Sequence, residues 1–135
     1  MTATTANGRS FLVIEGPDVK KKRQADQIDV MCYDSGFYMP RAYVWLVRQQ
    51  AIRVPRAVRN ANGNCRVLLG LPTYGHGLPS HNPRAENLAN TLRGVREGLA
   101  DPAANPSAFA GVAMFADYTT TATDWSTNER LWLTK

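Results

Sequence analysis

Tyr33 and Asp34 are neighbours at the end of an apolar segment that begins at Ile28. A phenol donates a hydrogen bond and a carboxylate accepts several, so such a pair can hold a polar ligand. If the segment is a strand, its side chains alternate, and Met31 and Tyr33 share a face with Asp29. Taken alone, the pair favours a simpler interpretation, a core tyrosine followed by an aspartate that ends the strand.

Glu15 ends an earlier apolar run and is the one carboxylic acid placed like a catalytic acid. An ordinary loop glutamate is the commoner explanation of such a residue. His76 and His81 lie five residues apart in a loop rich in Gly and Pro, and no nearby carboxylate pair completes a metal site. We therefore interpret both histidines as loop or rim residues, and we predict no metal and no cofactor.

The two cysteines, Cys32 and Cys65, lie within predicted strands rather than at strand ends. The chain has no Cys-x-x-Cys spacing, which argues against a zinc site built from cysteines. No Ser-His-Asp or Cys-His arrangement is evident either. Two free, buried thiols are favoured over a disulfide.

Apolar periodicity divides the chain into alternating strands and helices. Leu88, Leu92, Val95 and Leu99 recur at helical spacing, which predicts an amphipathic helix that begins just after Asn82. The order of elements predicts an α/β fold with a parallel sheet and crossover helices. The predicted strands are 11–15, 28–34, 66–72 and 110–116, and the predicted helices are 40–51, 83–100 and a last one capped by Thr123 or Asp124.

Two parallel architectures fit this alternation, a doubly wound sheet and part of a (β/α)8 barrel. A doubly wound fold of this size usually opens with a phosphate-binding loop, and neither of the two common glycine-rich motifs occurs here. A half-barrel also explains why no clear helix precedes the first strand. We expect a disordered leader over 1–10 and a single half-barrel domain over 11–135.

Three segments resemble strand motifs of glycoside hydrolase family 18, the chitinase-like (β/α)8-barrel enzymes. Asp29–Asp34 resembles the Met-x-Tyr-Asp signature of the sixth barrel strand, and Val67–Gly75 is similar to the Leu-Gly-x-Pro-x-Tyr-Gly of the seventh. Gly111–Asp117 stands in the place of the eighth strand's Gly-Val-Met-x-Trp, and Phe11–Glu15 would be the fifth strand. The resemblance covers roughly residues 26–118, so the chain is similar to the C-terminal half of such a barrel, strands five to eight.

The resemblance implies hydrolysis of O-glycosidic bonds beside N-acetylglucosamine, with the substrate's own N-acetyl oxygen as the nucleophile. Tyr33 and Asp34 would be the catalytic pair that orients the N-acetyl group. Phe115 would form the floor of the sugar pocket, where the family has Trp. Met31, Tyr74 and Asp117 complete the substrate-binding residues that the resemblance implies.

The family's Asp-x-x-Asp-x-Asp-x-Glu motif, which supplies the general acid on the fourth strand, does not occur in the sequence. A general acid contributes about 10²–10⁴-fold, so we expect the chain alone to be nearly inactive. Two alternatives stay open. One is a non-catalytic, chitinase-like carbohydrate-binding protein, and the other is a different barrel glycosidase that uses Glu15 or Asp117.

The predicted partner is an oligo- or polysaccharide, and either a second copy of the chain or an N-terminal half-barrel would complete the fold. The net charge of +5 and the basic run Lys20–Arg23 raise nucleic acid as a rival partner. No aromatic residues interleave with that run, so a solvated basic surface is favoured and no nucleic-acid partner is predicted. No apolar run reaches the ~20 residues of a membrane helix, and residues 1–10 show no signal pattern, which leaves the compartment open.

Overall fold

The structure is a computed structural model that describes residues 2–4, 10–13, 26–61, 64–75 and 81–133. Glu15, His76 and the basic run Lys20–Arg23 lie outside the described residues. The strands are β1 (Thr2–Thr4), β2 (Ser10–Val13), β3 (Gln27–Met31), β4 (Arg66–Pro72) and β5 (Phe109–Phe115). The helices are α1 (Pro40–Asn60), α2 (Leu88–Leu99) and α3 (Ala122–Asn128), and a π-helical turn, Glu129–Leu133, follows α3.

Three parallel strands form the part of the sheet that carries the candidate site. The sheet order is β2-β1-β3-β4-β5, and β3, β4 and β5 run parallel. Helix α1 connects β3 to β4 and helix α2 connects β4 to β5, so a helical crossover joins each parallel pair. The predicted α/β class is confirmed at this level.

The N-terminal edge of the sheet differs from the predicted arrangement. The first predicted strand, 11–15, corresponds to β2 at Ser10–Val13, which is antiparallel to β1. Strand β1 lies in the stretch expected to be a leader, and it separates β2 from β3 by pairing antiparallel with β3 through Ala3 and Val30. The prediction of a wholly parallel sheet is therefore wrong at this edge. The threonines of β1 favour strand structure, and a short link suffices to join the antiparallel strands β1 and β2.

The two faces of the parallel strands have different surroundings. Val30, Leu69 and Leu71 point to one face, are at most 1% exposed, and belong to the core shared with the helices. Met31 and Tyr33 point to the other face, where Met31 is 48% exposed. The alternation predicted for this strand is confirmed, and the face that carries the candidate residues is the open one.

Helix α1 is longer than predicted because packing outweighs an internal proline. The expected helix ended at residue 51, whereas α1 continues to Asn60 through Pro55. A proline inside a helix removes one backbone hydrogen bond and is usually destabilising. Val54 and Val58 flank this proline and are buried in the core, which extends the apolar stripe past it.

Helix α2 begins later than predicted, at Leu88 instead of residue 83. The Asn82–Pro83 pair looked like a helix start, but the Asn82 carbonyl accepts from the Glu86 N–H at 2.8 Å within a turn. The helix is capped by Asn87, whose side chain accepts from the Asn90 N–H at 2.9 Å. The turn that precedes the helix contains Glu86, whose carboxylate accepts from the Asp34 and Ser35 N–H groups.

The cap of α3 also differs from the prediction, which placed it at Thr123 or Asp124. Thr121 is the N-cap, and its hydroxyl accepts from the Asp124 N–H at 3.1 Å. The Asp124 carboxylate accepts in return from the Thr121 N–H at 2.9 Å. This reciprocal pair is a capping box with Asp in place of the usual Glu or Gln.

Two glycines of α2 bring it against α1 at short range. A Cβ placed on Gly98 would lie 2.6 Å from the Ala51 Cβ and 2.8 Å from the Arg48 carbonyl oxygen. A Cβ placed on Gly94 would lie 2.7 Å from the Val47 Cβ. These distances are far shorter than an ordinary van der Waals contact, so the spacing of the two helices depends on glycine at both positions.

Among the described residues, no helix is long and apolar enough to cross a membrane. Cys32 is buried and Cys65 is partly exposed, and both thiols are free.

Candidate functional site

The ends of the three parallel strands bring three aromatic rings together. Tyr33 follows β3, Tyr74 follows β4, and Phe115 is the last residue of β5. The Tyr33 and Phe115 rings stack with centroids 5.2 Å apart, and Tyr74 meets each of them edge to face at 5.9 and 6.1 Å. Parallel strands end at one edge of a sheet, which is why residues distant in sequence form one cluster here.

Gly70 leaves room for this cluster on the open face of the sheet. A Cβ at Gly70 would lie 3.3 Å from an edge carbon of the Tyr33 ring and 3.2 Å from the Val30 carbonyl oxygen. A larger residue would therefore push the Tyr33 ring away from Phe115. The glycine of the Leu-Gly-x-Pro segment thus serves the aromatic stack.

Asp34 contributes a carboxylate beside the aromatic rings. The Tyr74 hydroxyl donates to Asp34 Oδ1 at 2.6 Å, and the Asp34 side chain is 33% exposed. The backbone of Asp34 is left-handed, with φ of 55°, a conformation that is uncommon for residues other than glycine but is tolerated by Asp and Asn. The turn that follows contains Gly36, with φ of 79°.

Glu86 holds this turn from beneath. Its carboxylate accepts from the Asp34 N–H at 2.9 Å, from the Ser35 N–H at 2.7 Å, and from the Ser35 hydroxyl. The Glu86 side chain has no exposed surface. Buried carboxylates are stable when hydrogen bonds or a paired charge replace water, and Glu86 has both.

His81 supplies that charge. Its Nδ1 lies 2.8 Å from Glu86 Oε2 and its Nε2 lies 3.0 Å from the Tyr74 carbonyl oxygen. A carboxylate and a carbonyl oxygen both accept hydrogen bonds, so an imidazole with protons on both nitrogens satisfies both contacts. We therefore assign His81 as an imidazolium that forms a buried ion pair with Glu86, with Asp34 Oδ1 3.9 Å from its Nδ1.

The same three groups do not form a good metal site. Ligand atoms of Asp34, His81 and Glu86 lie within 4.8 Å of one another. However, His81 Nδ1 faces Glu86, whose oxygens already accept three hydrogen bonds from the turn. A metal ion at Glu86 would have to displace these hydrogen-bond donors. The three side chains therefore suit hydrogen bonding better than metal coordination.

The predicted site residues divide into those that meet and those that do not. Tyr33, Asp34, Tyr74 and Phe115 form one cluster, and Met31 lies on the same sheet face, one alternation before Tyr33. Asp117 instead lines a separate groove, of about 340 Å³, which includes Val112, Met114 and Trp125. Glu15 lies outside the described residues.

Sequence reasoning missed Glu86 and misjudged His81. His81 was interpreted as a loop or rim residue, but its side chain is fully buried against Glu86 and the Tyr74 ring, whose centroid lies 4.2 Å away. Glu86 was assigned to an amphipathic helix, where a glutamate would face water. Its apolar neighbours Ala85 and Leu88, which are both buried, fit an amphipathic helix equally well, so the sequence carries no signal that singles out Glu86.

An open cleft of about 760 Å³ adjoins the cluster. Tyr74 and Phe115 line it on the strand side, and Leu88, Tyr118 and Asp124 line it on the helix side. Phe115 and Tyr118 are 47% and 82% exposed, so the cleft presents aromatic surface to solvent. Such a surface is open to a flat, partly apolar ligand.

The tyrosines of the site predict a loss of stability at alkaline pH. Burial, followed by the hydrogen bond to Asp34, raises the pKa of the Tyr74 phenol, and burial raises that of Tyr33 to about 12. Unfolded tyrosines ionise near pH 10, so the unfolded state releases protons that the folded state keeps. The resulting stabilisation is complete below about pH 10 and is lost as pH rises through the folded pKa values.

We therefore expect the free energy of unfolding in urea to fall between pH 9 and 11, and Tyr74→Phe to make that fall shallower. Burial of Cys32, which raises its pKa to about 12, adds to the fall in all variants. The exposed Tyr118 provides the control, because Tyr118→Phe should leave the slope unchanged. Equal slopes for Tyr74→Phe and the parent chain would contradict the prediction.

Comparison of the chain with protein-family models, curated proteins and solved structures finds no match. The interpretation of the site therefore depends on its own residues and their geometry.

Proposed function

We propose that this chain contributes the acetamide-binding part of a glycosidase site that acts on glycans containing N-acetylglucosamine. The observation that carries the proposal is the cluster at the strand ends, where Tyr74 donates to Asp34 and Tyr33 stacks on Phe115. The family 18 resemblance assigns Tyr33 and Asp34 to the recognition of an N-acetyl group, and Tyr74 and Phe115 to the binding of the substrate. A second copy of the chain or an N-terminal half-barrel would complete the site.

The free polar atoms of the cluster match the groups of an acetamide. Asp34 Oδ2 and the Tyr33 hydroxyl form no hydrogen bond within the described part of the chain. An acetamide can donate its N–H to the first and accept from the second. A phenol is a neutral donor at physiological pH even at its ordinary pKa near 10, and burial raises the pKa of Tyr33 further, to about 12.

A carboxylate at the acetamide N–H also favours the chemistry that the family resemblance implies. When the acetamide oxygen attacks the sugar carbon, positive charge develops on the amide nitrogen. The Asp34 carboxylate would stabilise that charge, and a fixed group stabilises a transition state more than a mobile one does. The exposed face of Phe115 would pack against the C–H groups of the sugar ring.

The chain is proposed to bind rather than to cleave on its own. Glu86 is the buried carboxylate nearest to the site among the described residues, but its oxygens are bonded to the turn and to His81 and its side chain is not exposed, so it is not placed to protonate a leaving oxygen. A general acid would have to come from Glu15 or from the completing half. The alternative of a non-catalytic, carbohydrate-binding protein shares this binding step.

The test is a titration of the purified chain with each of two trisaccharides, monitored by ¹H–¹⁵N NMR. Triacetylchitotriose carries acetamides, whereas cellotriose has the same β-1,4 links without them. We expect the acetylated trimer to shift the amides near Asp34, Tyr74 and Phe115 and to bind at least about tenfold more tightly, since hydrogen bonds to a charged group are worth about 1.5–3 kcal/mol. The mass of the species should be measured first, because assembly could complete the site.

Matched substitutions sharpen the outcome. Asp34→Asn removes the charge but tolerates the left-handed backbone, and it should weaken the acetylated trimer about tenfold. Asp26→Asn makes the same change at an exposed position before β3 and should have no effect. Equal affinity for the two trimers, or no binding of either, would contradict the proposal.

Hydrolysis separates the binding proposal from a complete enzyme. A fluorogenic diacetylchitobioside should not be turned over by the chain alone. Turnover that disappears in Glu15→Gln would show that Glu15 supplies the acid and that the chain, alone or as an assembly, is an active glycosidase.

A further inference from the structure

We infer that Glu86 is a positioning residue for the Asp34 carboxylate, acting through the backbone of the turn at residues 34 and 35. This inference rests on the proposed function only for the identity of the ligand. The contacts that support this role all lie within the described residues.

Asp34 has an unusual backbone conformation. Its left-handed backbone, with φ of 55°, is disfavoured for residues that have a Cβ, although Asp adopts it more readily than most. Such a conformation persists when surrounding contacts fix it. The N–H groups of Asp34 and Ser35 both point to the Glu86 carboxylate, at 2.9 and 2.7 Å, which fixes the two peptide planes.

The Asp34 side chain points to the Tyr74 hydroxyl. With its backbone fixed, Asp34 places Oδ1 2.6 Å from the Tyr74 hydroxyl. Tyr74 is held from the other side, because His81 donates to its carbonyl oxygen at 3.0 Å and packs on its ring. Glu86 contacts both branches, since it accepts from the turn and pairs with His81.

Glu86 borders the open cleft beside the cluster, but its carboxylate is bonded to the turn and to His81. Its side chain has no exposed surface, whereas that of Asp34 is 33% exposed. Any influence of Glu86 on binding must therefore pass through Asp34 or Tyr74. This distinguishes it from a ligand-contacting residue and gives the inference a specific signature.

The test uses Glu86→Gln, which keeps the shape but replaces one acceptor oxygen by a donor. We expect the amides of residues 34 and 35 to exchange hydrogen at least about tenfold faster, while the core amides of β4 change little. Triacetylchitotriose should bind about tenfold more weakly, because Asp34 no longer presents its carboxylate. Glu97→Gln, on the exposed face of α2 and paired only with Arg93 within the described chain, is the matched control and should change neither quantity.

A double substitution separates positioning from general destabilisation. In an Asp34→Asn background, Glu86→Gln should alter the trimer affinity less than about twofold, since the group that it positions is already removed. An undiminished effect in that background would overturn the inference. So would unchanged exchange at residues 34 and 35 in a folded Glu86→Gln chain.

Two further outcomes keep the inference separate from the proposed function. If the parent chain binds no trimer, the proposed function fails, and the local exchange rates still decide the positioning role. If Glu86→Gln does not fold, Glu86→Asp replaces it, because that change keeps the carboxylate that pairs with His81 but withdraws it by one methylene from the Asp34 and Ser35 N–H groups. Faster exchange confined to the turn would support the inference, and unchanged exchange in Glu86→Asp would overturn it.

Discussion

Glu86→Leu is expected to lower the free energy of unfolding by about 3–5 kcal/mol, the usual cost of removing one partner from a buried ion pair. The substitution leaves the His81 imidazolium without its partner at 2.8 Å, in a site where neither side chain is exposed. It also leaves the Asp34 and Ser35 N–H groups without their acceptor. Urea unfolding monitored by circular dichroism measures the loss.

The ion pair makes this cost non-additive with that of its partner. His81→Leu alone leaves Glu86 charged and buried, whereas the double substitution removes both charges together. The double variant should therefore lose clearly less stability than the sum of the two single variants. Glu97→Leu, at a partly exposed position of α2, should change stability by no more than about 0.5 kcal/mol. Additive losses would show that His81 and Glu86 do not interact as a charged pair.

Most of the parallel sheet could be predicted from the sequence because each strand is a short apolar run with clear ends. Strand β4 spans Arg66–Pro72, the predicted bounds, since nearly every residue of that run is apolar. The N-terminal edge could not be predicted in this way. The Thr2–Thr4 strand is too short to show an alternation, and its pairing with β3 depends on a tertiary contact.

The error at α2 has a local physical cause. Asn82 followed by Pro83 satisfies the usual pattern of a helix start, and the same two residues also satisfy the pattern of a turn. The turn forms here, because the Asn82 side chain accepts from the Arg84 N–H at 3.0 Å and the helix begins only after a new cap at Asn87. No property of the local sequence records that choice.

The candidate site shows the same limit. Tyr33, Asp34, Tyr74 and Phe115 could be placed together because residues that follow parallel strands meet at one edge of the sheet. His81 and Glu86 could not be added, because the contact from Glu86 to the Asp34 N–H spans 52 positions and joins a loop to a turn. Residues at strand ends are predictable from topology, whereas the residues that hold them depend on the tertiary structure.

Gly98→Ala is expected to destabilise the chain by about 1–3 kcal/mol, the range for overpacked cores, although alanine favours helix by about 1 kcal/mol. The added Cβ would lie 2.6 Å from the Ala51 Cβ and 2.8 Å from the Arg48 carbonyl oxygen. Both contacts belong to α1 and one of them is backbone, so a rotation of a flexible side chain cannot relieve them. The helices must separate or tilt, which loosens the core over β4.

Gly94→Ala should have a similar cost, because its Cβ would lie 2.7 Å from the Val47 Cβ one turn away on the same interface. The double variant should cost less than the sum, since a separation forced at one position relieves the other. Gly75→Ala is the control with the same change, as no atom of the described residues lies within 4 Å of its added Cβ, and its stability should stay within about 0.5 kcal/mol of the parent. A Gly98→Ala chain as stable as the parent in urea would contradict this prediction and would mean that α1 and α2 are not packed as closely as described.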